Sequence, residues 1–144
     1  MTTFPAPPRA APHSMPQTMA AERDGMISRG DLYSACLDPV VGSEQGGIRP
    51  VLVIQNDVGN RHSPTVIVLA VTGQLTKAKL PTHGPIACEG TGLVKDSVVL
   101  AEQIRTLDKR RLRERIGTLS PEAMARVGEA VKISLGFAGE SLRQ

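Results

Sequence analysis

Short apolar runs of strand type fill most of the chain, and a helical pattern appears only near its end. Residues 51–54 are all apolar, which is typical of a strand buried on both faces. Pro50 suits the first position of that strand, because a proline there costs no ladder hydrogen bond. The apolar and β-branched runs predict strands at 31–37, 50–55, 65–72 and 97–106, with a shorter one at 84–89. Short strands joined by Gly- and Pro-containing loops indicate a small antiparallel barrel.

One amphipathic helix is predicted after residue 119. Ser120 followed by Pro121 is a good N-cap and first-turn pair, and Gly136 offers a C-terminal stop. The apolar stripe of this helix consists of Met124, Val127, Val131 and Leu135. The sequence therefore predicts a mainly β fold with a C-terminal helix.

The first 25 residues differ in composition from the rest of the chain. Of the eleven prolines among the 144 residues, five fall within Met1–Pro16. Such a segment buries too little apolar surface to offset the entropy of ordering it. We predict a disordered Pro/Ala-rich tail at 1–25 and one folded domain at 26–144.

Composition favours a cytoplasmic protein. No apolar run approaches the roughly 20 residues of a membrane helix, and the N-terminus lacks the apolar core of a signal peptide. Cys36 and Cys88 each lie in a strand-like context, where a buried reduced thiol is expected. The histidines (His13, His62 and His83) and cysteines show no metal-ligand spacing, so we expect neither a metal nor a cofactor.

Positive charge is concentrated at residues 105–115. The net charge is +3 and the pI about 9.2, which leans toward polyanionic partners. Asp108 is a candidate cap for a short basic helix in this segment, whose cationic residues are Arg105, Lys109, Arg110, Arg111, Arg113 and Arg115. We favour a solvated helix face here. The alternative is an electrostatic guide for RNA phosphates or for an acidic protein tail.

The most distinctive stretch runs from Pro39 to Asn60 and reads PVVGSEQGGIRPVLVIQNDVGN. A polar, Gly-rich loop ends in one arginine, and a proline then begins an apolar strand. This stretch closely resembles the signature of the MazF/PemK (also called Kid) toxins of type II toxin–antitoxin pairs. Blocks at 26–33, 71–74, 77–83 and 95–109 continue the resemblance in the family's order.

The resemblance implies an SH3-like antiparallel barrel with a C-terminal helix, dimerising through sheet and helix surfaces. It implies a sequence-specific, metal-independent endoribonuclease that cuts single-stranded mRNA and is inhibited by a MazE-like antitoxin. A CcdB-like toxin that poisons gyrase is an alternative. The absence of tryptophan weighs against it, because that family acts through a tryptophan-containing C-terminal tip. An RNA-binding barrel without catalysis is a third hypothesis.

Arg49 is the first candidate for catalysis. A guanidinium is planar, permanently charged and able to grip two phosphoryl oxygens, which makes it a strong charge stabiliser and a doubtful general base. The alternative is a structural arginine braced by Glu44 or by a loop carbonyl. Thr72 is taken as the second catalytic residue because it matches the family's second catalytic position. Its hydroxyl could donate a hydrogen bond to a phosphoryl oxygen.

A second group of residues is predicted to bind the RNA. Polar loop side chains read the edges of unstacked bases, and this chain lacks the aromatic array of an RRM or OB surface. His83 is also a candidate for proton transfer or base stacking, although a surface loop histidine is the simpler interpretation. The full set is Ser43, Glu44, Gln45, Gln74, Lys77, Lys79, Leu80, His83, Ser97, Gln103 and Arg105.

Overall fold

The computed structural model describes residues 26–74 and 80–137, which form a six-stranded antiparallel sheet with a long helix after it. The strands are β1 (Asp31–Cys36), β2 (Ile48–Val53), β3 (Thr65–Thr72), β4 (His83–Ile86), β5 (Ser97–Asp108) and β6 (Leu112–Thr118). The helices are α1 (Asp57–His62) and α2 (Pro121–Leu135), and a 3₁₀ turn spans Lys109–Arg111. The predicted mainly β fold with a C-terminal helix is confirmed. The predicted tail at 1–25 lies outside the described residues.

The sheet has the strand order β4-β5-β3-β2-β1-β6, and its apolar side chains form two clusters on opposite faces. One cluster, which includes Leu52, Leu69 and Val99, packs against Ala123 and Val127 of α2. The other contains Tyr33, Val51, Val66, Val68, Leu107 and Leu112, each at most 1% exposed. Because α2 covers only the first cluster, the sheet itself must curl around the second, as in a barrel.

Strand β5 bends where the sheet curls. Its pairing with β3 jumps from Ile104 opposite Leu69 to Leu100 opposite Ala70. Residues 101–103 therefore form a bulge, and such a bulge bends a strand and increases its twist. The bulge carries Gln103 next to the loop that follows β1.

Strand β2 begins at Ile48, so the prediction that Pro50 opens it was wrong. Pro50 is the third residue and pairs with Ser34 of β1. Pairing with β3 starts only at Val51, so β2 is locally an edge at Pro50, and an edge tolerates a proline. Arg49 accordingly belongs to the strand and not to the loop before it.

Two elements were missed by the sequence prediction. Helix α1 is capped by Asn56, whose side chain accepts a hydrogen bond from the Gly59 amide. The segment 105–115, for which a basic helix was predicted, is divided between the end of β5, the 3₁₀ turn and the start of β6. Asp108 does act as a cap there, but of a single 3₁₀ turn. The predicted strand 97–106 continues to Asp108, and the predicted strand 84–89 is shorter and starts one residue earlier, at His83.

Helix α2 begins and ends as its sequence predicts. The Ser120 side chain accepts a hydrogen bond from the Ala123 amide, and Gly136 adopts a left-handed conformation with φ 79°. The inward face is formed by Ala123, Val127 and Ala130, whereas Leu135 is 50% exposed. The apolar stripe is therefore no longer buried at the last turn of the helix. Cys36 and Cys88 are free thiols, as expected, but both are half-buried and only Cys36 lies in a strand.

Candidate phosphate-binding site at the end of the sheet

Arg49 and Thr72 lie just beyond the point where β2 and β3 stop pairing. The last bonded pair is Val51 opposite Ala70. Continuing that antiparallel register by two residues sets Arg49 across from Thr72. Because side chains alternate along a strand, both lie on the face of Val51 and Ala70, which is the inside of the curl. The two predicted catalytic residues therefore border the open end of the barrel.

Arg49 is held by the loop that precedes it. Its Nε donates a 2.6 Å hydrogen bond to the Gly46 carbonyl. The structural alternative of a loop carbonyl brace is thus correct, while Glu44 instead accepts a bond from the Val41 amide at 2.9 Å. The brace uses only Nε. The two terminal nitrogens of Arg49 make no hydrogen bond within the described ranges, so the fork that grips phosphate remains available.

Thr72 is almost enclosed, with 2% of its surface exposed. Its Oγ1 accepts a hydrogen bond of 3.2 Å from the Gln74 amide. A hydroxyl that accepts from this amide keeps its own hydrogen to donate. Thr72 can therefore place one directed donor at the end of the strand, as a phosphoryl oxygen requires.

The loop between β1 and β2 is closed by its own hydrogen bonds. The Asp38 carboxylate accepts from the Gly47 amide at 2.9 Å, and the Leu37 amide donates to the Gly47 carbonyl at 2.9 Å. Ser43 and Glu44 lie exposed at the tip of this loop. The loop that supplies the Arg49 brace is thus fixed at its base and accessible at its tip.

Gln45 joins this loop to the bulge in β5. Its amide donates to Gln103 Oε1 at 3.3 Å, and its own side chain is buried. Gln45 Oε1 has no hydrogen-bond partner among the described residues. Buried acceptors are normally paired, so this oxygen is a candidate acceptor for a ligand donor.

Two arginines hold the start of the same loop. Arg105 donates to the Leu37 carbonyl at 2.7 Å, and Arg111 donates to the Cys36 and Asp38 carbonyls at 3.2 and 2.6 Å. Three successive carbonyls are thereby bound by two guanidiniums. Gln103 and Arg105, both predicted to bind RNA, are in this structure engaged with the loop. We call Arg105 and Arg111 the loop clamp.

His83 is the first residue of β4, so the interpretation as a surface loop histidine was wrong. Its side chain is only 10% exposed, and Nε2 lies 3.2 Å from Glu102 Oε2. The Leu80 amide donates to His83 Nδ1 at 3.3 Å, which assigns the remaining ring hydrogen to Nε2. His83 therefore fixes the chain next to Leu80, which is itself 51% exposed.

Glu102 is the ionised partner of this histidine. Burial alone would raise the pKa of its carboxyl, but hydrogen bonds from Thr82 and His83 outweigh burial and hold the pKa below its usual value. The Thr82 hydroxyl donates to Glu102 Oε1 at 2.7 Å. The carboxylate thus secures β4 to β5 beside the site.

Most of the basic segment is bound to the protein itself. Lys109 donates to the Asn60 carbonyl, and desolvation lowers the pKa of its ammonium. Arg110 pairs with Asp108 at 3.0 Å, and its hydrogen bond holds the pKa of that carboxyl below its usual value. Arg115 pairs with the buried Asp31 at 3.3 Å. The segment is therefore neither a helix face nor a free cationic surface.

Lys95 was missed by the sequence analysis. A Cβ built on Gly73 would lie 2.2 Å from Lys95 Cε and 3.1 Å from its Nζ. The lysine chain therefore lies directly on the glycine that follows Thr72. Ser97, a predicted RNA contact, donates to the Lys95 carbonyl at 3.0 Å. No sequence signal links residues 73 and 95, which are far apart in the chain.

The remaining predicted residues are placed as follows. Gln74 is exposed at the end of β3. Lys77 and Lys79 lie outside the described residues. Within ranges 26–74 and 80–137, no three His, Cys, Asp or Glu side chains cluster as metal ligands would. Neither helix in those ranges has the length and apolar character that crossing a membrane requires.

Comparisons with known proteins identify the family of the chain. The family described as PemK-like, MazF-like toxin of type II toxin–antitoxin system matches residues 28–135. Endoribonuclease EndoA of Bacillus subtilis (strain 168) is 61% identical over 112 residues, covering 78% of this chain and 97% of that protein.

Solved structures show the same fold. The crystal structure of MazF (Form-I) from Deinococcus radiodurans has 27% identity and a TM-score of 0.66, covering 77% of this chain and 97% of that one. An endoribonuclease in complex with its cognate antitoxin, from a Mycobacterial species, has 27% identity and a TM-score of 0.65, covering 76% and 95%.

Proposed function

This chain belongs to the PemK-like, MazF-like toxins of type II toxin–antitoxin systems, and we propose that it cuts single-stranded RNA by a metal-independent attack of the substrate's own 2′-hydroxyl. It is an endoribonuclease, as its relative EndoA is named. The observation that carries the mechanism is that Arg49 and Thr72 each lie two residues beyond the last β2–β3 pair, with both terminal nitrogens of Arg49 unbonded within the described ranges. The comparisons favour this nuclease over a CcdB-like gyrase poison and over a barrel without catalysis.

In the proposed reaction, the 2′-oxygen forms a bond to the adjacent phosphorus and the bond from phosphorus to the 5′-oxygen breaks. One proton leaves the 2′-hydroxyl and one is added to the departing 5′-oxygen, so the products are a 2′,3′-cyclic phosphate and a 5′-hydroxyl. Negative charge builds on the phosphoryl oxygens during this step. The free fork of Arg49 neutralises that charge, and the Thr72 hydroxyl donates a hydrogen bond to it. A guanidinium does not readily give up its proton, so Arg49 acts by charge.

RNA sequence would be read by the loops on either side of this pair. Ser43 and Glu44 are exposed at the tip of the first loop, and Gln74 and Leu80 border the second. Gln45 Oε1, which has no hydrogen-bond partner among the described residues, would accept a donor from a base. Lys77 and Lys79 belong to the second loop in sequence and are proposed as backbone contacts.

We also propose a cytoplasmic homodimer inhibited by a MazE-like antitoxin. A solved relative is titled as a complex with its cognate antitoxin, which supports such a partner here. Of the sheet and helix surfaces expected to form the dimer, the apolar run of β5 is largely used by the chain's own core, since Val99, Leu100 and Leu107 are at most 2% exposed. Exposed apolar residues at the end of α2, Leu135 and Phe137, are better candidates.

The mechanism is tested with purified protein and a long RNA in excess EDTA. Cutting should persist. The upstream fragment should end in a 2′,3′-cyclic phosphate or in the 3′-phosphate formed by its hydrolysis, and the downstream fragment should begin with a 5′-hydroxyl. After the cut sites are mapped, an oligonucleotide with one 2′-deoxy sugar just before the cut should bind normally and stay intact. Efficient cutting of this modified strand, or loss of cutting in EDTA that added Mg²⁺ restores, would contradict the mechanism.

A further inference from the structure

Gly73 has no conformational reason to be a glycine. Six glycines of the described chain have a positive φ, and Gly73 is not one of them. What distinguishes it is the close approach of Lys95, whose Cε would lie 2.2 Å from an added Cβ. The backbone conformation at residue 73 is one that any amino acid can adopt, but a side chain there would displace Lys95. Because residue 73 has no Cβ, the Lys95 side chain can lie against its backbone.

The backbone that carries Lys95 is anchored to the sheet. Ser97 Oγ, in a buried residue, donates to the Lys95 carbonyl at 3.0 Å. The next residue along, Asp96, accepts a hydrogen bond of 2.8 Å at Oδ1 from the Cys88 amide. These two bonds fix the chain immediately after Lys95, while the Lys95 side chain remains exposed.

The ammonium of Lys95 is not neutralised by the part of the chain that the structure describes. The ion pairs there are formed by His83, Arg110, Arg115 and Lys132. Lys95 is thus a positive charge on an anchored backbone with no carboxylate partner. Such a cation is available to an anionic ligand.

This charge lies at the Thr72 end of β3. Gly73, on which Lys95 packs, directly follows Thr72, and Thr72 pairs with Val98 at the start of β5. Arg49 comes from β2 on the other side of Thr72. Strand β3 thus lies between β2, which carries Arg49, and β5, which Lys95 precedes by two residues, so cations of two kinds, a planar fork and a compact ammonium, come to this end of the sheet.

We propose that Lys95 is a third phosphate-contacting residue of the nuclease site, admitted by Gly73. This inference rests on the proposed function and adds to it. A phosphorus attacked by a 2′-oxygen carries more negative charge in the transition state than in the ground state. A second cation beside Thr72 stabilises that extra charge, and it also contacts the RNA backbone before the reaction.

Three variants test the inference: Lys95→Met, Gly73→Ala and the double variant. Because the atom that Gly73→Ala would displace is the flexible end of a lysine, the fold should be retained. Each single variant should lower kcat/KM by about 10- to 100-fold, somewhat less than loss of a principal oxyanion donor. The double variant should be no worse than Lys95→Met alone, because both changes remove the same contact. Lys95→Arg should restore part of the activity.

Salt dependence gives a second readout. The slope of log affinity for single-stranded RNA against log salt should fall by about 0.7 when one phosphate contact is lost. Lys132→Met is the matched control, because Lys132 is an exposed lysine of α2 that pairs with Glu129 at 3.2 Å. This control should leave kcat/KM and the slope unchanged, and melting curves should confirm that every variant folds.

The outcomes separate this inference from the proposed function. Additive losses in the double variant, or a Lys95→Met variant within about two-fold of the parent, would refute it, since surface changes away from a site are near neutral. If either of these results were found while Arg49→Ala was inactive, the proposed function would stand and only the role of Lys95 would be refuted. Loss of activity in every variant together with a lowered melting temperature would also count against it, because Lys95 would then be structural.

Discussion

Two regions of this molecule carry positive charge, and they use it in opposite ways. The segment 105–115 is the most basic part of the sequence, yet five of its six cations bind the protein's own carbonyls or carboxylates. Among the described residues, the site at the end of β2 and β3 contains the cations Arg49 and Lys95. There the Arg49 fork and the Lys95 ammonium have no acidic partner within the described ranges.

The difference shows that local charge density is a poor guide to where an anion binds. Arg105 and Arg111 donate to loop carbonyls through Nη1, so a phosphate could take both ends of either fork only if those bonds broke. Arg49 donates through Nε and keeps both terminal nitrogens for a ligand. The two regions are nevertheless connected, because the loop clamp of Arg105 and Arg111 holds the loop that braces Arg49.

The largest effect is expected from removing a free donor of the site. Arg49→Ala should lower kcat by at least about 1,000-fold, and Thr72→Ala by about 100-fold, since each removes a donor aimed at developing charge. Binding of the uncut 2′-deoxy RNA should weaken much less. The measurement is single-turnover cleavage together with a melting curve. A variant that folds normally and cuts at a parental rate would remove that residue from the mechanism.

Loss of the clamp should give an intermediate effect. Arg111→Ala leaves the Cys36 and Asp38 carbonyls without their donor and loosens the base of the loop. We expect about 1–3 kcal/mol lower stability, the range for hydrogen bonds to charged groups, and a fall of about 10-fold in kcat. Limited proteolysis should cut within residues 38–47 faster than in the parent.

A contact with RNA would give a different pattern for the same variant. If Arg111 bound phosphate, its loss would lower the salt slope and raise KM with an unchanged proteolysis rate. Arg111→Lys separates the two cases further, because lysine keeps the charge but carries it on a flexible stem that does not fix one nitrogen between the two carbonyls as Nη1 of Arg111 is fixed. A fully active Arg111→Lys variant would therefore contradict the positioning role.

Much of the fold could be predicted because its signals are local. The apolar runs located five strands, and the Ser120–Pro121 pair located the start of α2. Strand β6 could not be recognised. Its residues 113–115 are all exposed, so no alternation of buried and exposed positions marks this edge strand.

The contacts that build the site are long-range, and this explains what was missed. Arg105 and Arg111 reach carbonyls 68 to 75 residues away in sequence. Lys95 approaches Gly73 across a turn of the chain that no periodicity encodes. Arg49 and Thr72, in contrast, each lie at the end of a recognisable strand. The family resemblance identified them, and the strand register puts each of them two residues beyond the last β2–β3 pair.

The smallest effect is expected from Arg113→Ala. Arg113 is exposed on the edge strand β6, and no partner contacts its guanidinium within the described ranges. It is therefore the one cation of the basic segment that the fold leaves free, as Lys95 is free at the site.

Stability should change by no more than about 0.5 kcal/mol, as for most surface substitutions. Cleavage at about 0.15 M salt should stay within about two-fold, because screening reduces the influence of a distant exposed charge. Lys95→Met should be measured at the same salt concentration. The comparison shows whether any unpaired surface cation supports cleavage or only one that lies at the site. A loss in Arg113→Ala as large as in Lys95→Met would mean that the basic segment guides RNA after all, and the contrast between the two regions would fail.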